Sequence, residues 1–159
     1  MTGEKKRPYR MRQRAQAQEQ TRQRITEAAV ELHGTLGPAQ TSMSAVAERA
    51  GVRRSTLYRH FPDEAALFDA CTAHWAAANP LPDLAGWAAI APPDKRLQTA
   101  LSELYDFYER TEGMLDNLFR DEPLSPIVKE RFGALRAYFA EAHQVLWSCL
   151  LYTSPSPRD

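Results

Sequence analysis

Apolar positions along this chain recur in steps of three and four, and no stretch sustains an alternation of period two, so the pattern predicts an all-α fold. Ile25, Ala28, Ala29, Leu32 and Leu36 form the first stripe, on a helix that starts near Gln18 and is stopped by Gly37-Pro38. A short second helix follows. Thr41 and Ser42 offer capping hydroxyls, Val46, Ala47 and Ala50 make its apolar side, Gly51 is placed to supply a left-handed turn residue, and Val52 can plug that turn. The third segment, Arg54 to His60, turns Leu57 inward and anchors on Phe61 before Pro62 closes it, because a residue preceding proline disfavours the helical region.

Asp63 can cap a fourth helix carrying Leu67, Phe68, Cys71 and Trp75 as far as Asn79-Pro80. Pro80, Pro82, Pro92 and Pro93 bracket a connector with room for at most one short helix. Beyond it, Leu97, Leu101, Leu104 and Tyr108 predict one helix and Met114 to Arg120 a separate short one. Pro123 and Pro126 break the chain again, and the last helix is expected to present Val128, Phe132, Leu135, Phe139, Ala142 and Leu146 on one face.

Composition adds an asymmetry. The formal net charge is zero, yet residues 1–60 hold 12 Lys and Arg against 5 Asp and Glu, while residues 61–159 hold 8 against 15. A basic first third attached to an acidic remainder points to a polyanionic partner, of which nucleic acid is the commonest. Two cysteines are too few for a disulfide framework, and the apolar runs are too short for a membrane span, so a soluble cytoplasmic protein is expected.

The two short helices joined through Gly51 have helix-turn-helix spacing, in which the second helix enters the major groove. Its outward residues suit that placement: they are Arg53, Arg54, Ser55, Thr56, Tyr58, Arg59 and His60, with no acid between Arg49 and Asp63. Arg54 can pair bidentately with guanine, and the Thr56 methyl can meet thymine. Ser42, Ser44, Tyr58 and His60 can reach phosphates, contacts that position the protein without reading sequence. No Gly-rich phosphate loop or nucleophile elbow is present, which leaves an enzyme reading without residues. Cys71-x-x-His74 lacks the second ligand pair a zinc site needs. The acids Glu109, Glu112, Asp121 and Glu122 read as solvated helix surface and ends.

From Arg22 to Cys71, "RQRITEAAVELHGTLGPAQTSMSAVAERAGVRRSTLYRHFPDEAALFDAC" resembles the DNA-binding domain of TetR-family transcriptional regulators. Its most specific part is "SAVAERAGVRRSTLYRHFPDEAALF". The resemblance implies groove contacts from Arg54, Ser55, Thr56 and Tyr58, and phosphate contacts from Thr41, Ser42, Ser44, Arg59 and His60. It also implies a dimer that reads a palindromic operator, usually as a repressor, and is released when a small inducer moves the fourth helix. One departure stands out: Glu64 occupies a position where many members carry a Lys aimed at the DNA backbone. Lys5, Lys6, Arg7, Arg10, Arg12 and Arg14 of the N-terminal arm can offset that loss along the minor groove or the phosphates. A non-specific DNA-binding protein, and a helical small-molecule-binding module with a vestigial helix-turn-helix, are the alternatives.

The expected organisation is a disordered basic arm over residues 1–17, a helix-turn-helix domain over 18–62 and a partial helical ligand-binding and dimerisation domain over 63–148. Aromatic residues in that last part suit an apolar or aromatic inducer, with Tyr105, Tyr108, Phe119, Tyr138 and His143 as candidate pocket residues and no cofactor. The closing "CLLYTSPSPRD", residues 149–159, can be back-translated into a transposase mosaic end followed by a sequencing adapter. It is therefore expected to be an artefact, with the native chain continuing past about Ser148 into the helices that would form the dimer.

Overall fold

The computed structural model describes residues 6–151, with side chains over residues 9–147. Residues 152–159, and with them most of the expected artefact, lie outside the described residues, as does Lys5 of the arm. The described residues form helices and turns without a strand. They divide into two compact units, the first ending at Trp75 and the second starting at Ala76.

In the first unit, α1 runs over Lys6–Thr35, α2 over Met43–Arg49, α3 over Arg54–His60 and α4 over Glu64–Ala78, of which the part up to Trp75 belongs here. A 3-10 turn, Pro38–Gln40, joins α1 to α2. Ile25, Ala28 and Ala29 of α1 are buried with Met43, Val46 and Ala47 of α2, Leu57 of α3, and Leu67, Phe68 and Cys71 of α4. Leu36, expected in the first stripe, is exposed because the chain turns at Gly37, φ 93°. His33, a polar residue next to that stripe, is buried instead. Its Nδ1 lies 3.4 Å from the Cys71 sulfur, and its ring is 5.5 Å from that of Phe68. Burial pushes the Cys71 thiol up to about 12, so this sulfur behaves as a small core group.

The first helix begins at Lys6, not near Gln18. Arg, Gln, Met, Ala and Glu are all good helix formers, no glycine interrupts Met11 to Thr35 except Gly34, and Pro8 falls in the first turn, where its missing N–H costs nothing. Residues 9–20 are exposed on every side, so this extension stands on helix propensity and not on packing.

The second unit contains α5 (Leu84–Ala89), α6 (Pro93–Asp121), α7 (Pro126–Arg131) and α8 (Gly133–Leu151). Trp87 is its centre, packed with Ala100 and Ala142 and flanked by Leu84, Leu104, Tyr138, Val145 and Leu146. The indole N–H donates to Glu103 Oε2 at 2.7 Å, and the Tyr138 hydroxyl donates to the Pro82 carbonyl at 2.9 Å.

Three expectations for this unit are corrected. Leu97 to Arg120 is a single helix, because one exposed Gly113 costs only about 1 kcal/mol relative to Ala and buried Phe107, Thr111 and Leu115 hold the helix on both sides of it. The buried face also includes Ala100, leaving Leu101 and Tyr108 at its exposed margin. The last helix is two, interrupted at Phe132 ahead of Gly133, although Val128, Phe132 and Ala142 are buried as the stripe predicts. Asp121 is buried, not solvated: its carboxylate pairs with Arg120 Nε at 2.8 Å, and its carbonyl accepts the Leu124 and Ser125 N–H groups that turn the chain. Glu122 pairs with Arg136.

Candidate nucleic-acid interface

The turn between α2 and α3 is built by Gly51. At φ 65° it adopts the left-handed conformation, its N–H bonds the Glu48 carbonyl, and the Val52 N–H bonds the Ala47 carbonyl, each at 3.0 Å. This pair of bonds closes the last carbonyls of α2 and reverses the chain into α3. At the other end of α2, the Ser42 hydroxyl oxygen accepts the Ala45 N–H at 3.1 Å, as the capping pattern predicts. Arg49 is tied back to α1 through Glu31, at 2.6 and 3.0 Å, which takes its guanidinium away from α3.

Helix α3 buries Leu57 and anchors on Phe61, neither of which is solvent-accessible. That pins one face and leaves the other open: Arg53, Arg54, Ser55, Tyr58 and Arg59 are exposed and Thr56 is half-buried. Arg54 lies over the Tyr58 ring, 5.5 Å from its centroid, and donates to the Tyr58 hydroxyl at 3.3 Å. The two side chains therefore form one unit, with the remaining guanidinium N–H groups free to bond an acceptor. No acid sits in the first turn of α3 and no side chain caps it. Two arginines at that end work against the helix dipole by roughly 0.3–1 kcal/mol each, a cost that an anion docked there would reverse.

The expected phosphate set divides. Ser42 and Ser44 are exposed, and the Ser42 hydroxyl hydrogen remains available because the cap uses its oxygen as acceptor. Thr41 instead donates its hydroxyl hydrogen to the Gly37 carbonyl at 2.8 Å, so in this arrangement it has none to give a phosphate. His60 departs further from expectation: its Nε2 is shielded from solvent and has no hydrogen-bond partner. Burial, then the charges of Arg59 and Arg22, lower its pKa, with Glu19 opposing. An Nε2 turned away from solvent is not placed to meet a phosphate. Glu64 is exposed in the first turn of α4, next to Asp63, whose carboxylate caps that helix through the Ala66 N–H at 2.8 Å.

Arg22 was not among the residues singled out from sequence. It donates to the His60 carbonyl at 3.0 Å, and its guanidinium lies 4.3 Å from the Phe61 ring centroid. The signal was weak, since 38 residues separate the partners.

In the second unit three of the five candidate pocket residues share a groove and two lie elsewhere. Tyr105, Tyr108 and Phe119 line an open groove of about 470 Å³ along α6 with Glu109, Glu112, Leu115 and Asp116. Tyr138 belongs to the Trp87 cluster, and His143 stacks on Trp147 at 5.7 Å on the exposed side of α8. Among the described residues, no helix is long and apolar enough to cross a membrane, and no group of three His, Cys, Asp or Glu side chains is placed to hold a metal ion.

Comparison with known proteins bears on the same segment. Residues 25–71 match the model of the N-terminal domain of bacterial regulatory proteins, tetR family. The chain is 39% identical over 57 residues to the HTH-type transcriptional regulator AcrR of Shigella flexneri, covering 36% of this chain and 26% of that protein. The match thus spans about a quarter of the length of that curated relative. A crystal structure of a HlyIIR mutant protein carrying a thrombin-cleavable linker superposes with a TM-score of 0.64 at 19% identity, over 82% of this chain and 70% of that one. That likeness shows the fold. Residues 25–71, which hold the α2–α3 helix-turn-helix, are therefore the part of the chain that is similar to the tetR family of bacterial regulatory proteins.

Proposed function

We propose that this chain is part of a ligand-responsive transcriptional regulator that reads a palindromic operator as a dimer and most simply acts as a repressor. The observation that carries the reading is the exposed face of α3 and its N-cap Arg53: five polar or aromatic side chains, two of them paired as Arg54–Tyr58, with no acid among them. Such a face offers a guanidinium donor to guanine with an aromatic hydroxyl beside it. Arg54, Ser55, Thr56 and Tyr58 form the groove-facing set, and Ser42, Ser44 and Arg59 the phosphate-facing set. The activity is binding, not catalysis, and it is exerted where DNA is, in the cytoplasm.

Ligand response is assigned to the second unit. The groove along α6 supports it in part, because Tyr105, Tyr108 and Phe119 offer aromatic surface beside carboxylates that can orient a bound molecule. Tyr138 and His143 are not part of that groove.

The test is a gel shift against a duplex selected by this chain from a random-sequence pool. Arg54→Ala combined with Tyr58→Ala should abolish the sequence-specific shift while circular dichroism stays unchanged, since both side chains are exposed. Unaltered affinity in the double variant would remove the assigned reading face. Equal affinity for selected and scrambled duplexes at matched salt would instead favour a non-specific DNA-binding protein.

A further inference from the structure

Helix α3 ends without the usual devices. The last carbonyls of any α-helix lack intrahelical partners, and a left-handed glycine or a following N–H commonly satisfies them. Here Phe61 is extended, with φ −135°, its N–H is spent on the Leu57 carbonyl, and Pro62 has no N–H to offer. The missing donor comes from α1. Arg22 bonds the His60 carbonyl at 3.0 Å and covers the buried Phe61 ring at 4.3 Å, so one side chain holds both the final carbonyl and the anchor beside it. It also brings a positive charge to the negative end of the helix. A guanidinium, with several N–H donors on one flat group, suits both contacts together.

The His60 ring sits at the same joint. The charged groups facing it are Arg59 on α3 and Arg22 and Glu19 on α1, and its Nε2 is buried without a partner. A neutral imidazole fits there, whereas an imidazolium would meet two guanidiniums with one carboxylate to offset them.

We propose that Arg22 is a positioning residue of the DNA-reading helix: it fixes the end of α3 on α1, and so sets the angle at which Arg54 and Tyr58 meet base edges, without touching DNA itself. The inference rests on the DNA-reading assignment of α3. Base-edge contacts are directional and suffer when the helix tilts, while attraction to phosphates tolerates tilt. Loss of Arg22 should therefore weaken specific binding much more than non-specific binding.

The experiment compares Arg22→Met and Arg22→Lys with the unmodified full chain, using a duplex that the unmodified chain selects from a random-sequence pool and a scrambled duplex as control. Arg22→Met should bind the selected duplex about tenfold more weakly, the equivalent of one charge-assisted hydrogen bond, with an unchanged salt slope and little change on the scrambled duplex. Arg22→Lys should fall between. A salt slope lower by about 0.9 per protomer would make Arg22 a phosphate contact and overturn the proposal, as would equal losses on both duplexes.

Two measurements need no DNA. Amide hydrogen exchange over Tyr58 to Phe61 should accelerate in Arg22→Met, and the His60 imidazole, relieved of a neighbouring cation, should titrate at higher pH by NMR. If both stay as in the unmodified chain, Arg22 does not hold α3. If no duplex is selected, the DNA-reading assignment fails, and these two measurements still decide whether Arg22 holds the helix. Should Arg22→Met not fold, Arg22→Lys, which keeps charge and stem, carries the same comparisons.

Discussion

His60 shows how a residue type and its role can separate. Beside Tyr58 and Arg59 a histidine reads as a phosphate ligand, but the α3–α1 joint folds Nε2 inward and lowers its pKa below the ordinary 6.5, chiefly by burial. Between that lowered value and about 6.5 the unfolded chain binds more protons than the folded one, so stability rises with pH across the window. The contribution is fully present above the unfolded value and is lost as pH falls through the folded one. His60→Gln, which cannot titrate, should therefore show a shallower fall in the urea unfolding midpoint on acidification than the unmodified chain. Parallel curves for the two would mean that the imidazole is not held neutral. Arg22, which sets part of this environment, was illegible for a plain reason: a charged residue in a run of Arg and Gln gives no sign that its partner is a carbonyl 38 residues away.

Short-range chemistry made some elements readable, and its absence hid others. The α2–α3 turn was legible because Gly51 followed by Val52 leaves one economical way to end a helix, and the structure shows that pair of bonds. Ser42 and Asp63 were legible as caps for the same reason, each bonding an N–H three residues on. The boundaries of α1, α6 and α8 were not: propensity extends α1 past its last packed residue, burial on both sides carries α6 through Gly113, and the apolar spacing gives no sign of the break at Phe132. Tyr138 and His143 lie outside the α6 groove for another reason: spacing places aromatics on a helix face but does not say which neighbour faces them, and the Tyr138 hydroxyl bonds the Pro82 carbonyl. Gly51 gives the element-scale prediction. A Cβ added there meets nothing within 4 Å, so Gly51→Ala carries the strain of a positive φ and no clash. Urea unfolding should show a loss of about 1–2 kcal/mol. A neutral result would mean that the turn relaxes to another conformation, and DNA binding should then fall although stability does not.

Charge acts at the scale of the whole chain. Its basic residues are concentrated before Phe61 and its acids after it, so attraction to a duplex comes from the first part and is opposed by the remainder. Glu64 lies at that changeover, exposed in the first turn of α4, where together with Asp63 it complements the helix dipole. The same carboxylate repels a phosphate that approaches the α4 N-terminus, so it favours folding and disfavours binding. Glu64→Lys should therefore move the two properties in opposite directions. Thermal melting should show a loss of roughly 0.3–1 kcal/mol from the reversed dipole interaction. Binding to selected and scrambled duplexes should strengthen alike, because a phosphate contact carries no sequence information. Titrations at several salt concentrations should give a slope steeper by about 0.9 for each half-site that the new lysine reaches. A gain confined to the selected duplex would show instead that α4 touches base edges, and an unchanged slope would place its N-terminus away from the backbone.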